Sequence, residues 1–221
     1  MRKFFCAFII MMALCSCSHA AITKTTVQKA WNKIAKADGF KVIAITYEKS
    51  TSPNAWVKFK SSNNFSVHVT QGLMNILSNE DEIAGVLGHE IGHVRLNHYS
   101  KGVNRAVGTA VGKKVASSVL GKFFGGIGQI VGNIGVSVAA DLAESGFSRE
   151  QEIEADDYGT TLLVKAGYPS DGLYRAMKSF ADHNIITQPS GFNSHPPTER
   201  RLKHLKEKAA SLKPKTETKS E

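Results

Sequence analysis

Apolar side chains recur at spacings of three and four residues in five stretches of the chain, a period typical of amphipathic helices. The stretches are 23–37, 79–97, 148–165, 171–183 and 199–210. In the first, Val27, Trp31 and Ile34 form one apolar face. In the second, Asn79 and Glu82 have the spacing of a capping box, so we expect a helix to begin there.

Three shorter stretches, 41–47, 55–60 and 65–70, are rich in β-branched and aromatic residues and are separated by turn-forming residues. Alternation in the last two predicts strands with one buried face. A few strands followed by a helical remainder indicate an α+β fold with a small sheet of antiparallel type. We expect one domain over residues 21–205 and a polar, disordered tail over 206–221.

The N-terminus has the pattern of an export signal. Arg2 and Lys3 precede 11 apolar residues, 4–14, which is long enough for a signal sequence and too short for a membrane span. Leu14-Cys-Ser-Cys17 resembles a bacterial lipobox, and cleavage before Ala21 is the alternative. We favour residues 1–17 as the signal segment, with cleavage before Cys17 and lipidation of Cys17, which would anchor the exported protein to the outer membrane.

The chain has three cysteines, and all lie within the first 17 residues. A disulfide framework or a cysteine-bound zinc site in the remainder is therefore excluded, and any metal site must use histidine and carboxylate ligands. The formal net charge is +9, but part of it lies at the two ends, and no arginine-rich run is present. The composition argues against a nucleic-acid partner.

The segment 102–146 contains ten glycines, and between residues 115 and 140 its only charge is Lys122. Two interpretations remain: a hairpin that touches a membrane or a partner, and a pair of close-packed helices or a lid. A membrane span is less favoured because glycines and polar residues such as Gln129 and Asn133 interrupt the apolar run.

His89-Glu-Ile-Gly-His93 is an H-E-x-x-H motif within a predicted helix. Positions i and i+4 share one helix face, so both imidazoles can bind one Zn²⁺ ion. Glu90 then lies beside the open side of the metal, where it can take a proton from water. The alternative is a helix with two histidines that serve packing alone.

The third ligand must come from elsewhere. A metzincin site is excluded because positions 96 and 99 hold Leu and Tyr. His98 lies five residues after His93, which is poorly placed for the same face, so we interpret it as structural. Glu152 and Asp156 lie on one face of a later predicted helix, so Glu152 can bind the metal while Asp156 orients a ligand imidazole. A solvated acidic helix face is the alternative.

These two motifs together resemble the HtpX-like and CAAX prenyl endopeptidase-type zinc metallopeptidases, which are gluzincins, and in particular their small periplasmic lipoprotein members. Asn54-Ala-Trp56 resembles the family's Asn-Ala-Phe segment, and the segment 67–74 resembles its edge strand before the active-site helix. His195-Pro196 with Arg201 resembles its late motif. The resemblance covers about residues 50–205 and implies a zincin-like fold with His89, His93 and Glu152 as ligands.

The resemblance leaves two roles for His195: it stabilises the oxyanion of the reaction, or it binds the metal and holds the enzyme latent. Arg201 would pair with a carboxylate near the site or bind the substrate. Unlike the integral-membrane relatives, this chain has no convincing membrane span, which favours an anchored enzyme that faces the periplasm.

We therefore predict a metalloendopeptidase with one Zn²⁺ per chain and Glu90 as general base. Its expected substrates are unfolded or misassembled envelope proteins, held as an extended strand near residues 65–70. The first alternative is a zinc-binding chaperone or assembly factor for outer-membrane proteins that cleaves little and works with the assembly machinery. The second is a membrane-interaction protein whose glycine-rich hairpin carries the function.

Overall fold

The computed structural model describes residues 21–61, 63–98, 147–183 and 195–213. Within these ranges the order of elements is α1 (Lys24–Asp38), β1 (Thr46–Glu48), β2 (Ala55–Ser61), β3 (Asn64–Thr70), α2 (Gln71–Ile76), α3 (Glu80–Arg95), α4 (Arg149–Lys165), α5 (Gly172–Asp182) and α6 (Glu199–Ser211). The five helices predicted from periodicity are confirmed, each with ends close to the predicted ones. The signal segment with Cys17, the glycine-rich segment 102–146 and the tail beyond residue 213 lie outside the described residues.

Side chains fix the beginnings of the long helices. Asn79 caps α3 by accepting a hydrogen bond from the Glu82 amide at 3.1 Å. The Glu82 carboxylate reaches back to the Ser78 amide at 2.7 Å, one residue earlier than in a standard capping box. Ser148 and Gln151 form a complete capping box at the start of α4. Both helices that carry the sequence motifs therefore begin at defined positions.

The sheet has the order β1-β3-β2 and is mixed. β2 and β3 are antiparallel, whereas β1 runs parallel to β3. The α+β class is confirmed, but the sheet is not wholly antiparallel. β1 is also shorter than predicted, because the Ile45 amide and the Ile43 carbonyl bond to the side chain of Gln28 on α1 at 3.0 Å each and join no strand.

β3 lies between β1 and β2, so the prediction that the strand near residues 65–70 forms the substrate-binding edge fails for residues 68–70, which pair on both sides, whereas β1 does not reach residues 64–67. The resemblance-based edge strand 67–74 also ends early, because Thr70 caps α2 and residues 71–76 are helical. Within the described part of the chain, β2 pairs with β3 alone and leaves its other edge open. β2 also packs against α3, so the strand nearest the motif helix is the one with the open edge.

α3 is the central element of the core. It packs against α1, α4, α5 and β2, and every residue from Glu82 to His93 is buried. Gly88 and Gly92 allow a close backbone approach between α3 and α4, since a Cβ there would lie 3.3 Å from Gly159 and 3.1 Å from Ala155 on α4. Contact between the two motif helices therefore depends on residues without bulk.

No described helix combines the length and the apolar character that a bilayer crossing needs. α6 continues through Ser211, so residues 206–211, which the domain division assigned to the tail, belong to the helical body. Ala209 within this stretch is buried.

Candidate metal centre

Four side chains from three parts of the chain converge where α3 crosses α4. His89 and His93 come from α3, Glu152 from the first turn of α4, and His195 from the segment before α6. One ligand atom from each lies within 4.8 Å of all the others, and all four residues are buried. The structure therefore brings the three predicted ligands together and adds His195 to them.

The donor atoms face one another without intervening protein atoms. His93 Nε2 lies 3.0 Å from His89 Nε2. Glu152 Oε1 lies 3.4 Å from His93 Nε2, and Oε2 lies 3.6 Å from His89 Nε2. Two neutral imidazoles and a carboxylate are the ligands of His₂Glu zinc sites, so this donor set fits Zn²⁺. Burial holds the pKa of His93 well below its usual range, which leaves the ring neutral and able to coordinate.

His195 enters this cluster through Nδ1, which lies 3.2 Å from His89 Nε2 and 3.0 Å from Glu152 Oε1. Its Nε2 is 3.7 Å from Glu90 Oε1. Burial alone would lower the pKa of His195, but the neighbouring Glu152 and Glu90 raise it. The position of Nδ1 among the other donors suits a fourth ligand better than an oxyanion donor held apart from them.

Glu90 lies on α3 next to the donor cluster and is fully buried. Its two carboxylate oxygens have no hydrogen-bond partner among the described residues. Burial raises the pKa of Glu90 because the charged form has lost its hydration. A buried carboxylate that accepts no hydrogen bond from the described residues is a strong candidate for proton transfer, since packing alone does not require it.

Asp156 and Arg201 support the cluster from behind. Asp156 Oδ1 lies 3.0 Å from His89 Nδ1, on the side of the ring away from the other donors. Arg201 from α6 reaches Asp156 through Nε at 2.8 Å and Nη2 at 2.6 Å, and Glu152 Oε2 through Nη1 at 2.6 Å. Burial alone would raise the pKa of each carboxyl. His195 and Arg201 nevertheless hold the pKa of Glu152 well below its usual range, and Arg201 holds that of Asp156 below its usual value.

His98 contributes none of the four clustered donors but contacts one of them from outside the cluster. Its Nδ1 lies 3.0 Å from His93 Nδ1, and its Nε2 lies 2.9 Å from Glu154 Oε2. In a continuous helix, position i+5 would point the His98 ring away from His93. α3 instead ends at Arg95, and Asn97 adopts φ 56, a left-handed conformation that asparagine tolerates. An asparagine just before the histidine was the signal that could have revealed this turn.

Comparison with known proteins agrees with this geometry. The profile of peptidase family M48 matches residues 21–209. Metalloprotease LoiP of Escherichia coli (strain K12) is 35% identical over 149 residues, which cover 67% of this chain and 57% of LoiP. Metalloprotease YcaL of the same strain is 32% identical over 189 residues, covering 82% of this chain and 69% of YcaL.

A protease HtpX homolog of Thermococcus kodakarensis is 29% identical over 209 residues, covering 81% of this chain and 72% of that protein. The aligned part of the chain thus spans between about half and three quarters of these relatives. The match across residues 21–209 includes α3, α4 and α6, and so every member of the donor cluster. The chain belongs to peptidase family M48, a family of zinc metallopeptidases.

Proposed function

We propose that this protein is a zinc-dependent endopeptidase with one Zn²⁺ held by His89, His93 and Glu152. The observation that carries the proposal is the convergence of these buried donors beside Glu90, a buried carboxylate whose oxygens accept no hydrogen bond from the described residues. Zinc bound there would supply a Lewis acid that polarises a peptide carbonyl and lowers the pKa of water.

Glu90 carries the proton transfers in this proposal. Its carboxylate takes a proton from the attacking water and later gives it to the nitrogen of the leaving amine, so the same group acts as base and then as acid. A pKa raised by burial favours both roles, because the carboxylate binds a proton readily and the carboxylic acid can still release it. Asp156 fixes the tautomer of His89, and Arg201 holds Asp156 and Glu152 in place.

His195 keeps the enzyme latent in the described conformation. Its Nδ1 occupies the space beside His89 and Glu152 that a substrate carbonyl or a water molecule would need. Cleavage therefore requires His195 to move away from the donor cluster.

An extended peptide would bind along the open edge of β2. The support is that this strand packs against α3 and that its second edge pairs with no described strand. Strand addition relies on main-chain hydrogen bonds, so it favours unfolded segments over folded ones. Replacing single backbone amides of a model substrate by N-methyl groups should abolish cleavage at some positions, whereas uniform tolerance of methylation would exclude strand addition.

We further propose export and anchoring to the outer membrane through Cys17, with misassembled envelope proteins as substrates. The support is the N-terminal sequence with its lipobox-like Leu14-Cys-Ser-Cys17. Labelling with a radioactive fatty acid, lost in Cys17→Ala, tests the anchor. The second candidate is a zinc-binding assembly factor with little proteolysis, which the latent position of His195 favours.

The deciding experiment compares the wild type with Glu90→Gln and Glu150→Gln. Glu150 is an exposed carboxylate on α4 that lies 3.8 Å from Arg200, outside the donor cluster. We expect all three proteins to bind one zinc, Glu150→Gln to cleave casein normally, and Glu90→Gln to lose at least ~100-fold in rate. Equal cleavage by Glu90→Gln would refute the peptidase mechanism, and a wild type that binds zinc without cleaving would favour the assembly factor.

A further inference from the structure

His98 lies directly behind the proposed ligand His93 and is fully buried. The turn at Asn97 directs the His98 ring back toward α3, and the Gln151 side chain from α4 donates to the His98 carbonyl at 3.2 Å. Phe147 stacks on His93 with a ring-centroid distance of 3.9 Å and closes another side of that ring. Backbone and side chain of His98 are thus both fixed by neighbours from the two motif helices.

The proton positions in this cluster form one consistent chain. His93 can offer a lone pair from Nε2 only if its proton is on Nδ1. That proton points at His98 Nδ1, which must then be unprotonated, so the His98 proton is on Nε2. From Nε2 it faces the carboxylate of Glu154 at 2.9 Å, which accepts it. Each donor in the series therefore meets an acceptor.

We propose that His98 is a positioning residue for the metal and that Glu154 acts through it. The carboxylate of Glu154 fixes the tautomer of His98, and His98 fixes the tautomer and ring plane of His93. The proposal rests on the proposed function in one respect, namely that His93 is a ligand. Outer partners of this kind orient ligand rings and raise their basicity.

The two ligand histidines are held in different ways. His89 meets Asp156 directly, and that carboxylate is buried and tied to Arg201. His93 instead contacts the neutral imidazole of His98. The carboxylate at the end of this hydrogen-bonded series belongs to Glu154, whose side chain is 53% exposed. The support for His93 is therefore the weaker of the two and can be altered from the surface by changing Glu154.

The test measures zinc dissociation constants by competition with a chromogenic chelator, in a Glu90→Gln background that avoids self-cleavage. We expect His98→Ala to weaken zinc binding ~10- to 100-fold, as losses of such partners do, and Glu154→Ala to weaken it by a smaller factor, about threefold. His98→Gln keeps a carbonyl that can accept from His93, so its affinity should stay within about threefold of the parent. The cobalt-substituted His98→Ala protein should show shifted ligand-field absorption bands.

His204→Ala is the matched control. His204 lies on α6 outside the donor cluster, and like His98 it pairs with a carboxylate, that of Asp157 at 2.8 Å. It should bind zinc as the parent does. In the His98→Ala background, Glu154→Ala should have no further effect, since Glu154 would have lost the ring through which it acts.

The proposal is overturned if His98→Ala, or Glu154→Ala should the former not fold, binds zinc as tightly as the parent. It is also overturned if Glu154→Ala weakens zinc binding by the same factor in the His98→Ala background as in the parent. A parent protein that binds no zinc would instead refute the proposed function, so the two failures are distinguishable.

Discussion

Arg201 and Asp156 lie 45 positions apart in the chain and form a buried two-pronged ion pair, with Nε 2.8 Å from Oδ2 and Nη2 2.6 Å from Oδ1. The pair joins α6 to α4 directly behind the donor cluster. Because Asp156 contacts His89 and Arg201 also contacts Glu152, this one guanidinium connects two of the proposed ligands.

Removing the guanidinium should therefore destabilise the fold itself. Arg201→Ala leaves two buried carboxylates without their cation, and such a loss costs about 3–5 kcal/mol. Urea unfolding in the presence of a chelator measures this effect without a contribution from metal. Arg200→Ala is the control, since Arg200 is exposed and should change the free energy of unfolding by less than about 0.5 kcal/mol. Equal effects of the two substitutions would contradict the structural role of Arg201.

Because α3 and α4 lie close together, replacing a glycine between them by alanine should destabilise the protein, by an amount that depends on the space at that glycine. A Cβ at Gly159 would lie 2.7 Å from the backbone nitrogen of His89, whereas one at Gly88 would lie 3.3 Å from Gly159. Gly159→Ala should therefore cost about 2–3 kcal/mol and displace His89, and Gly88→Ala should cost less.

Displacement of a proposed ligand should also reduce the rate of peptide cleavage, by about 100-fold for a shift of 1 Å. Gly167→Ala provides the control, because Gly167 has a positive φ of 76° but open space around it, away from the cluster. It should lower stability while leaving the cleavage rate of the folded protein unchanged. A Gly159→Ala protein with normal activity would show that the helix spacing does not set the site geometry.

Latency predicts that loss of His195 increases activity. In His195→Ala, the space beside His89 and Glu152 becomes open to substrate, so we expect casein cleavage to rise several-fold. Zinc affinity should fall modestly, because one donor of the cluster is gone. A loss of cleavage with zinc retained would instead assign His195 to oxyanion stabilisation in the working enzyme.

The surroundings of Tyr158 predict that the folded protein loses part of its stability at alkaline pH. Burial, together with its hydrogen bond to Asp38, raises the pKa of Tyr158 from 10.0 to about 12. The folded protein then holds the phenolic proton more tightly than the unfolded chain does. Its stabilising contribution is complete below pH ~10 and is lost as the pH rises toward ~12. The free energies of unfolding of wild type and Tyr158→Phe should therefore approach each other as the pH rises through this window. A difference between them that stays constant would contradict the interpretation.

The sequence predicted the local structure well because local signals dominate there. Helical periodicity and capping residues such as Asn79 and Ser148 set the ends of the motif helices to within two residues. The strand at 41–47 was shortened by a contact with Gln28 on α1, which no local pattern reveals. The order of strands also depends on long-range pairing, and for this reason the sequence did not reveal that β1 covers residues 68–70 of β3 or that β2 has an open edge.

For the site, the sequence by itself determined the chemistry. One helix turn carries two histidines and a glutamate, and a later helix carries two acidic residues at the same four-residue spacing as the histidines. These follow from side-chain type and the 3.6-residue period, which are local properties. Only the tertiary structure decided that His195 joins the donors, that Arg201 binds both carboxylates of α4, and that His98 turns back to His93. Those contacts depend on how helices pack and where one of them ends, and packing is set by the whole core at once.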